Sequence, residues 1–338
     1  MVTICICGGG SLGHVCAGVL ASQSGVRVNI FTQKPERWNK EICVSDIKGV
    51  NYKGHLNVIS DDPSLCISES DIVFLCLPGY AINGMLKKIQ SYITPKTIVG
   101  SIVSSTGFFF NAHEILSSDT KLFGFQRVPY IARIIEYGQS ASLLGYKKNV
   151  AISTENIENT ESFRQIIEQL FLTPTILLNN FYEASLTNSN PILHTGRLYS
   201  MFKDWNGELY DHNILFYKEW TDDASQIVID MDNEFMQLLD KLPVDKKRIP
   251  TLLDYYESTD AGSLTHKISS IPAFQTILSP MKEVNGGWIP NFESRYFSED
   301  FPFGLKFIKD LTHIHQIETP NIDKVYDWGM SIINHTNR

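Results

Sequence analysis

No lysine- or arginine-rich run appears anywhere in the sequence, and the formal net charge is −8 with histidine neutral. Nucleic acids and anionic membranes are held by concentrated basic surfaces, so the balance argues against both as partners. No apolar stretch reaches the roughly 18 residues of a membrane span. The N-terminus has no basic segment ahead of its apolar run, which breaks at once into Gly8-Gly9-Gly10. No secretory leader is therefore expected. Paired cysteines are missing too. Cys5, Cys7, Cys16, Cys43, Cys66 and Cys76 all lie in the first quarter of the chain and none forms a CxxC pair. Free, mostly buried thiols in a reducing cytosol are the expectation, with no metal site and no disulfides. No internal repeat or low-complexity segment stands out.

What is present is the composition of a globular protein, 43% hydrophobic and 20% charged. A length of 338 residues suits two domains, each with its own core. The first half alternates strand-like and helix-like runs. Strands are expected at Val2 to Cys7, Val26 to Phe31, Ile72 to Leu77 and Thr97 to Val103, and a helix at Leu12 to Ser22. Such alternation implies a parallel sheet with helices on both faces. The continuous apolar run Ile72-Val73-Phe74-Leu75-Cys76-Leu77 fits a strand buried on both sides. From about Phe181 the periods lengthen. Asp223 to Leu242 carries a helical stripe of Ile227, Val228, Met231, Phe235, Leu238 and Leu239. The reading is α/β: a Rossmann-type domain over residues 1–165, then a mostly helical domain over 166–338.

Gly8-Gly9-Gly10-Ser11-Leu12-Gly13 fits G-x-G-x-x-G between a strand and a helix. Gly8 permits the tight turn, Gly10 lets backbone approach a pyrophosphate, and Gly13 lets helix and strand pack closely. The helix start at Ser11 and Leu12 favours the phosphate charge. An NAD site usually places an acid about 20 residues further on. Here Thr32, Gln33, Lys34 and Arg37 occupy that region instead. Hydroxyl, amide and cationic donors suit a 2′-phosphate, so NADP is favoured over NAD. Ordinary solvated surface charge is the plainer account of Lys34 and Arg37.

In the second half, Asn190-Pro191-Ile192-Leu193-His194 is followed by Arg197, which shares a helical face with His194. The pair offers an acid–base group with a cation beside it for an anionic substrate. A satisfied core histidine is the competing account. Arg295-Tyr296-Phe297-Ser298-Glu299-Asp300-Phe301-Pro302-Phe303-Gly304-Leu305 combines a cation, two acids and aromatics. By spacing alone it reads as a charged loop or cap.

These segments resemble the opine dehydrogenases, the octopine/nopaline dehydrogenase group that includes opine-type metallophore synthases. The resemblance runs through nearly the whole chain. It rests on Gly8 to His14, on Leu77-Pro78-Gly79 and on Gln126-Arg127-Val128-Pro129-Tyr130 with Arg133 and Glu136-Tyr137-Gly138. It continues through Asn190-Pro191…His194 and Phe216-Tyr217-Lys218-Glu219, and most specifically through Arg295 to Leu305. It implies condensation of an amino acid with a 2-oxo acid such as pyruvate, followed by NAD(P)H reduction of the imine. It puts the catalytic histidine on His194, its partner carboxylate on Asp300 and the carboxylate-binding arginine on Arg295. It adds Leu77 and Pro78 to the cofactor face, and it implies a monomer or a homodimer. Two departures are visible. Thr195 stands where relatives often have proline, and Ser105-Thr106-Gly107 replaces an amide side chain followed by Ala-Gly. The second change leaves the amino acid open and makes Ser105 and Thr106 candidate substrate contacts.

Two other readings compete. A simple 2-oxo or 3-oxo acid reductase, like the ketopantoate reductases and hydroxyacid dehydrogenases, would share the Rossmann half. It would depend on a lysine in the helical half, where Lys203 and Lys218 are present. A non-catalytic dinucleotide sensor would have no use for His194, Arg295 and Asp300 together.

Overall fold

The computed structural model describes residues 1–336 and divides into two compact units, Met1–Ser185 and Leu186–Arg338. The first is built on an eight-stranded sheet. Its strands in chain order are β1 (Val2–Cys7), β2 (Val26–Phe31), β5 (Ile59–Ser60), β6 (Ile72–Leu75), β7 (Ile98–Ser101), β8 (Lys121–Phe125), β11 (Val150–Glu155) and β12 (Thr175–Leu177). Across the sheet the order is β12-β11-β8-β7-β6-β1-β2-β5. Every pairing is parallel except that of β11 with β8.

Alternation along the central strands fills two separate cores. Ile4, Ile6, Ile72 and Phe74 enter the cluster on one face, and Cys5, Cys7, Val73 and Leu75 the cluster on the other. Both faces are thus dry, which is why these strands read as unbroken apolar runs. All six cysteines are free.

Four further strands form a second sheet, β3 (Glu41–Asp46), β4 (Asn51–His55), β9 (Tyr130–Glu136) and β10 (Ser140–Tyr146), ordered β4-β3-β10-β9. It packs on helix α1 (Ser11–Ala21). Gly18 permits the approach, since a Cβ there would lie 2.4 Å from Val44 Cγ2. None of its strands is among those expected from the sequence. The boundary at residue 165 also falls short of the division at 185/186, because β12 and the strand partners before it still belong to the first unit.

The second unit is mostly helical, with one small hairpin of Met281–Val284 and Gly287–Pro290. No described helix is long and apolar enough to cross a membrane. A π-helical turn over Ser189–His194 runs into α2 (Thr195–Phe202), which packs on α3 (Asp222–Leu239). Gly196 sets their spacing, as a Cβ there would lie 2.6 Å from Val228 Cγ1. A short helix, α4 (Arg295–Ser298), leads to a second π-helical turn over Phe301–Leu305. That turn is backed by α5 (Pro320–Thr336), where Gly329 admits the Phe301 ring and a Cβ would lie 2.1 Å from its Cε1. Gly304 then faces Pro191, with 3.2 Å between an added Cβ and Pro191 Cγ. Two π-helical turns, each with a proline, are thereby pressed together. Such turns recur at functional sites because they re-aim side chains.

Candidate active site

In the first unit the cofactor candidates gather at the carboxyl ends of the parallel strands, where α/β sheets bind ligands. Gly8 has φ +128, and a Cβ there would lie 2.5 Å from the Cys76 carbonyl oxygen. A Cβ on Gly13 would lie 2.2 Å from the Gly8 carbonyl oxygen. Gly10 is different: nothing of the protein lies within 4 Å of its added Cβ. The cradle is therefore open on the side where a pyrophosphate would come. Gly10 also opens α1, whose first turn has no acidic residue and no side-chain cap. These residues fit a dinucleotide.

The remaining candidates surround that face. Ser11 Oγ accepts from the Ile134 N–H at 3.3 Å. Thr32 is buried and its Oγ1 accepts from the Lys34 N–H. Gln33, Lys34 and Arg37 are exposed beyond the end of β2. Leu77 and Pro78 are half-buried and lead into the helix Gly79–Ile89. Ser105 and Thr106 sit half-buried in the turn after β7, where Thr106 Oγ1 donates to the Val103 carbonyl at 2.8 Å.

In the second unit the π-helical turns bring together two residues 106 positions apart. His194 Nδ1 lies 2.8 Å from Asp300 Oδ2, and His194 Nε2 lies 2.9 Å from the Tyr217 hydroxyl. A carboxylate only accepts, so Nδ1 carries the proton and Nε2 the lone pair in the neutral ring. Tyr217 is held between Phe274, stacked at 4.3 Å, and Trp220, at 6.1 Å. Burial pushes its phenol well above its ordinary value, so it stays a donor. Tyr296 adds an aromatic wall 5.0 Å from the imidazole. Thr195, the departure after the histidine, turns its hydroxyl back to donate to the Pro191 carbonyl within the same turn.

The two arginines are placed differently. Arg295 is exposed and its guanidinium forks onto Glu299, at 2.6 and 2.8 Å. Arg197 is buried. Its Nε donates to the Phe216 carbonyl at 3.1 Å and its Nη2 to the Glu219 carbonyl at 2.7 Å. Burial lowers its pKa to about 10, which leaves it cationic at neutral pH. The guanidinium braces the segment that carries Tyr217, contrary to the substrate contact expected from spacing.

Tyr217 was not among the candidates read from the sequence. Its only signal was the segment Phe216-Tyr217-Lys218-Glu219. Of the two lysines that a simple oxo-acid reductase would call on, Lys203 is paired with Asp223 at 3.1 Å and Lys218 is exposed.

The entry to the His194 turn rests on a buried carboxylate. Asp232 accepts from Asn188 Nδ2 at 2.8 Å and from the Leu252 N–H at 2.6 Å. Burial raises its pKa to about 6. An unfolded Asp titrates near 3.9. The stabilisation by its protonated form is thus complete below about pH 4 and is lost as pH rises through 6. Asp232→Ala leaves both donors without this acceptor and should cost about 2–3 kcal/mol in urea unfolding. The deficit should be larger at pH 5 than at pH 7.5 by about 1 kcal/mol. A deficit that grows with pH instead would refute this assignment.

A Rossmann-type sheet with an open glycine cradle, followed by a helical unit holding a carboxylate-backed histidine, is the build of a dinucleotide-dependent oxidoreductase. The sequence comparisons narrow this. Residues 177–333 match the family model for the alpha-helical domain of NAD/NADP octopine/nopaline dehydrogenase, and residues 4–107 match that of ketopantoate reductase PanE/ApbA. The chain is 26% identical to the opine dehydrogenase of Haliotis discus hannai, over 97% of this chain and 89% of the relative. It is likewise 26% identical to the tauropine dehydrogenase of Arabella iricolor, over 98% and 92%. A solved octopine dehydrogenase with NADH and L-arginine superposes with a TM-score of 0.89 at 26% identity, over 99% of this chain and 90% of that one. The helical unit is that of the opine dehydrogenase family, NAD(P)-dependent oxidoreductases that act on the CH–NH group of their donors, and the chain is similar to such enzymes over nearly its whole length.

Proposed function

We propose that this protein joins the amine of an amino acid to a 2-oxo acid, with pyruvate as the default, and reduces the resulting imine. The observation that carries the reading is the Asp300–His194–Tyr217 chain of hydrogen bonds in the family's helical unit. Bound NAD(P)H supplies the hydride. The protein's residues manage protons and charge. Loss of water from the condensing pair needs a proton on the departing oxygen, and a histidine delivers one near neutral pH. Asp300 fixes the tautomer of His194 and balances the imidazolium that carries this proton. Tyr217 keeps Nε2 aligned between turnovers. Tyr217→Phe should lower kcat about tenfold, the worth of one strong hydrogen bond, with dinucleotide affinity unchanged. Steady-state kinetics that match wild type would remove Tyr217 from the account.

Arg295 is the group to receive a substrate carboxylate, since a guanidinium pairs with it through two parallel bonds. Glu299 occupies that fork and is the group the substrate displaces. Arg295→Leu should raise KM for the oxo acid on the order of 10²-fold, the value of a bidentate ionic contact. Unaltered KM would assign Arg295 to the surface pair alone. Ser105 and Thr106 are the candidates for choosing the amino acid. Thr32, Gln33, Lys34 and Arg37 favour NADPH over NADH. Six free thiols suit a reducing compartment such as the cytosol.

Mass spectrometry of a reaction containing NADPH, pyruvate and 15N-labelled amino acids tests the reading. The expected product has the summed mass of the two substrates, less water, plus two hydrogens, and retains the label. Unlabelled lactate as the sole product would contradict it.

A further inference from the structure

His14, the residue after the glycine motif, is fully buried on α1. Its Nδ1 lies 2.9 Å from the Gly10 carbonyl oxygen, and its Nε2 lies 2.7 Å from the Gly138 backbone nitrogen. The Gly138 N–H only donates, so Nε2 is the acceptor and Nδ1 gives its proton to Gly10. Burial lowers the pKa of His14, in keeping with the neutral ring that both bonds require. One imidazole thus ties the glycine loop to the β9–β10 turn, 124 residues away in sequence.

That turn is fitted closely to the segment beyond β2. Gly138 has φ +76, and a Cβ there would lie 1.9 Å from the Arg37 carbonyl oxygen. The Asn39 N–H donates to the Gly138 carbonyl at 3.0 Å, and Trp38 stacks on His14 at 4.2 Å. The result is the placement of Tyr137. Its hydroxyl lies 2.4 Å from the position of a Cβ on Gly9, and Thr32 Oγ1 lies 3.6 Å from the same point. The Arg37 guanidinium lies 4.5 Å over the Tyr137 ring. A phenol O–H and a threonine hydroxyl therefore meet beside Gly9, with a guanidinium over the phenol ring. No protein group among the described residues accepts the phenol proton.

We propose that Tyr137 is a phosphate-binding residue of the dinucleotide site, held over the glycine loop by His14 as a positioning residue. The inference rests on the dinucleotide reading above. The donors on this face suit the oxygens of either the pyrophosphate or a 2′-phosphate, a chemistry common to both. Gly9 matters here for a reason outside the motif: any side chain at that position would displace the phenol.

The test is equilibrium binding of NADPH and of NADH to the full chain, followed by nicotinamide fluorescence. Wild type is compared with Tyr137→Phe, His14→Leu and His14→Gln. Tyr137→Phe should weaken binding about tenfold or more, the loss of a hydrogen bond to a charged group. A loss confined to NADPH assigns the hydroxyl to the 2′-phosphate, and an equal loss for both assigns it to the pyrophosphate. His14→Leu should weaken binding in the same direction. His14→Gln should recover most of it, because its amide can donate to Gly10 and accept from Gly138. If His14→Leu fails to fold, Tyr137→Phe and His14→Gln decide. Wild-type affinity in Tyr137→Phe overturns this inference alone. A wild-type protein that binds neither dinucleotide overturns the cofactor reading with it.

Discussion

His194→Ala is expected to lower kcat by a factor on the order of 10²–10⁴, the usual range for removing a positioned acid–base group. Dinucleotide affinity should not change, because the glycine cradle, Thr32, Lys34 and Arg37 all belong to the first unit. The fold should survive as well. The turn that carries His194 is held by Gly304 against Pro191 and by Gly196 against Val228, contacts that an alanine at 194 leaves in place. The loss is then chemical. Without the imidazole, Asp300 and Tyr217 face each other with no group between them that can exchange a proton near neutrality. Steady-state rates measured beside nicotinamide fluorescence separate the two effects. A variant that keeps more than about a tenth of wild-type kcat would remove His194 from the chemistry.

Asp300→Asn is the second large effect, with kcat reduced on the order of 10²–10⁴-fold and KM little changed. The carboxylate accepts the Nδ1 proton at 2.8 Å. An amide is nearly the same size but can present its NH2 to Nδ1 instead. The ring then carries its proton on Nε2 and loses the lone pair that takes part in exchange. The charge that balances the imidazolium disappears too. In serine proteases the same replacement acts through the wrong tautomer, at comparable cost. Asp300→Glu should recover part of the rate if charge matters more than reach. An asparagine variant within about twofold of wild type would show that Asp300 only packs.

The two halves of the site differ in how far the sequence exposes them. The glycine loop is local, and its strand, turn and helix lie within about 20 residues, so Gly8, Gly10 and Gly13 fall where the motif places them. The paired π-helical turns are not local. His194 and Asp300 meet through Gly304, Pro191, Gly329 and Phe301, and no spacing rule predicts that contact. Only the likeness of Arg295 to Leu305 to a known family singled out Asp300. Arg197 shows the limit of reasoning from one helix face. Three residues from His194, it spends its donors on the Phe216 and Glu219 carbonyls, because the chain returns there to bury it. Tyr217 escaped for the same reason. The second sheet leaves a weaker mark on the sequence, because its strands alternate, as Glu41 to Asp46 do between more exposed and buried positions, instead of forming unbroken apolar runs.

The central claim is that two substrates are joined before reduction. The direct measurement is NADPH and NADH absorbance with pyruvate and an amino acid pool, each component omitted in turn. The account predicts oxidation only when oxo acid and amino acid are both present. Oxidation of equal rate with the oxo acid alone would contradict it and make the protein a simple 2-oxo acid reductase.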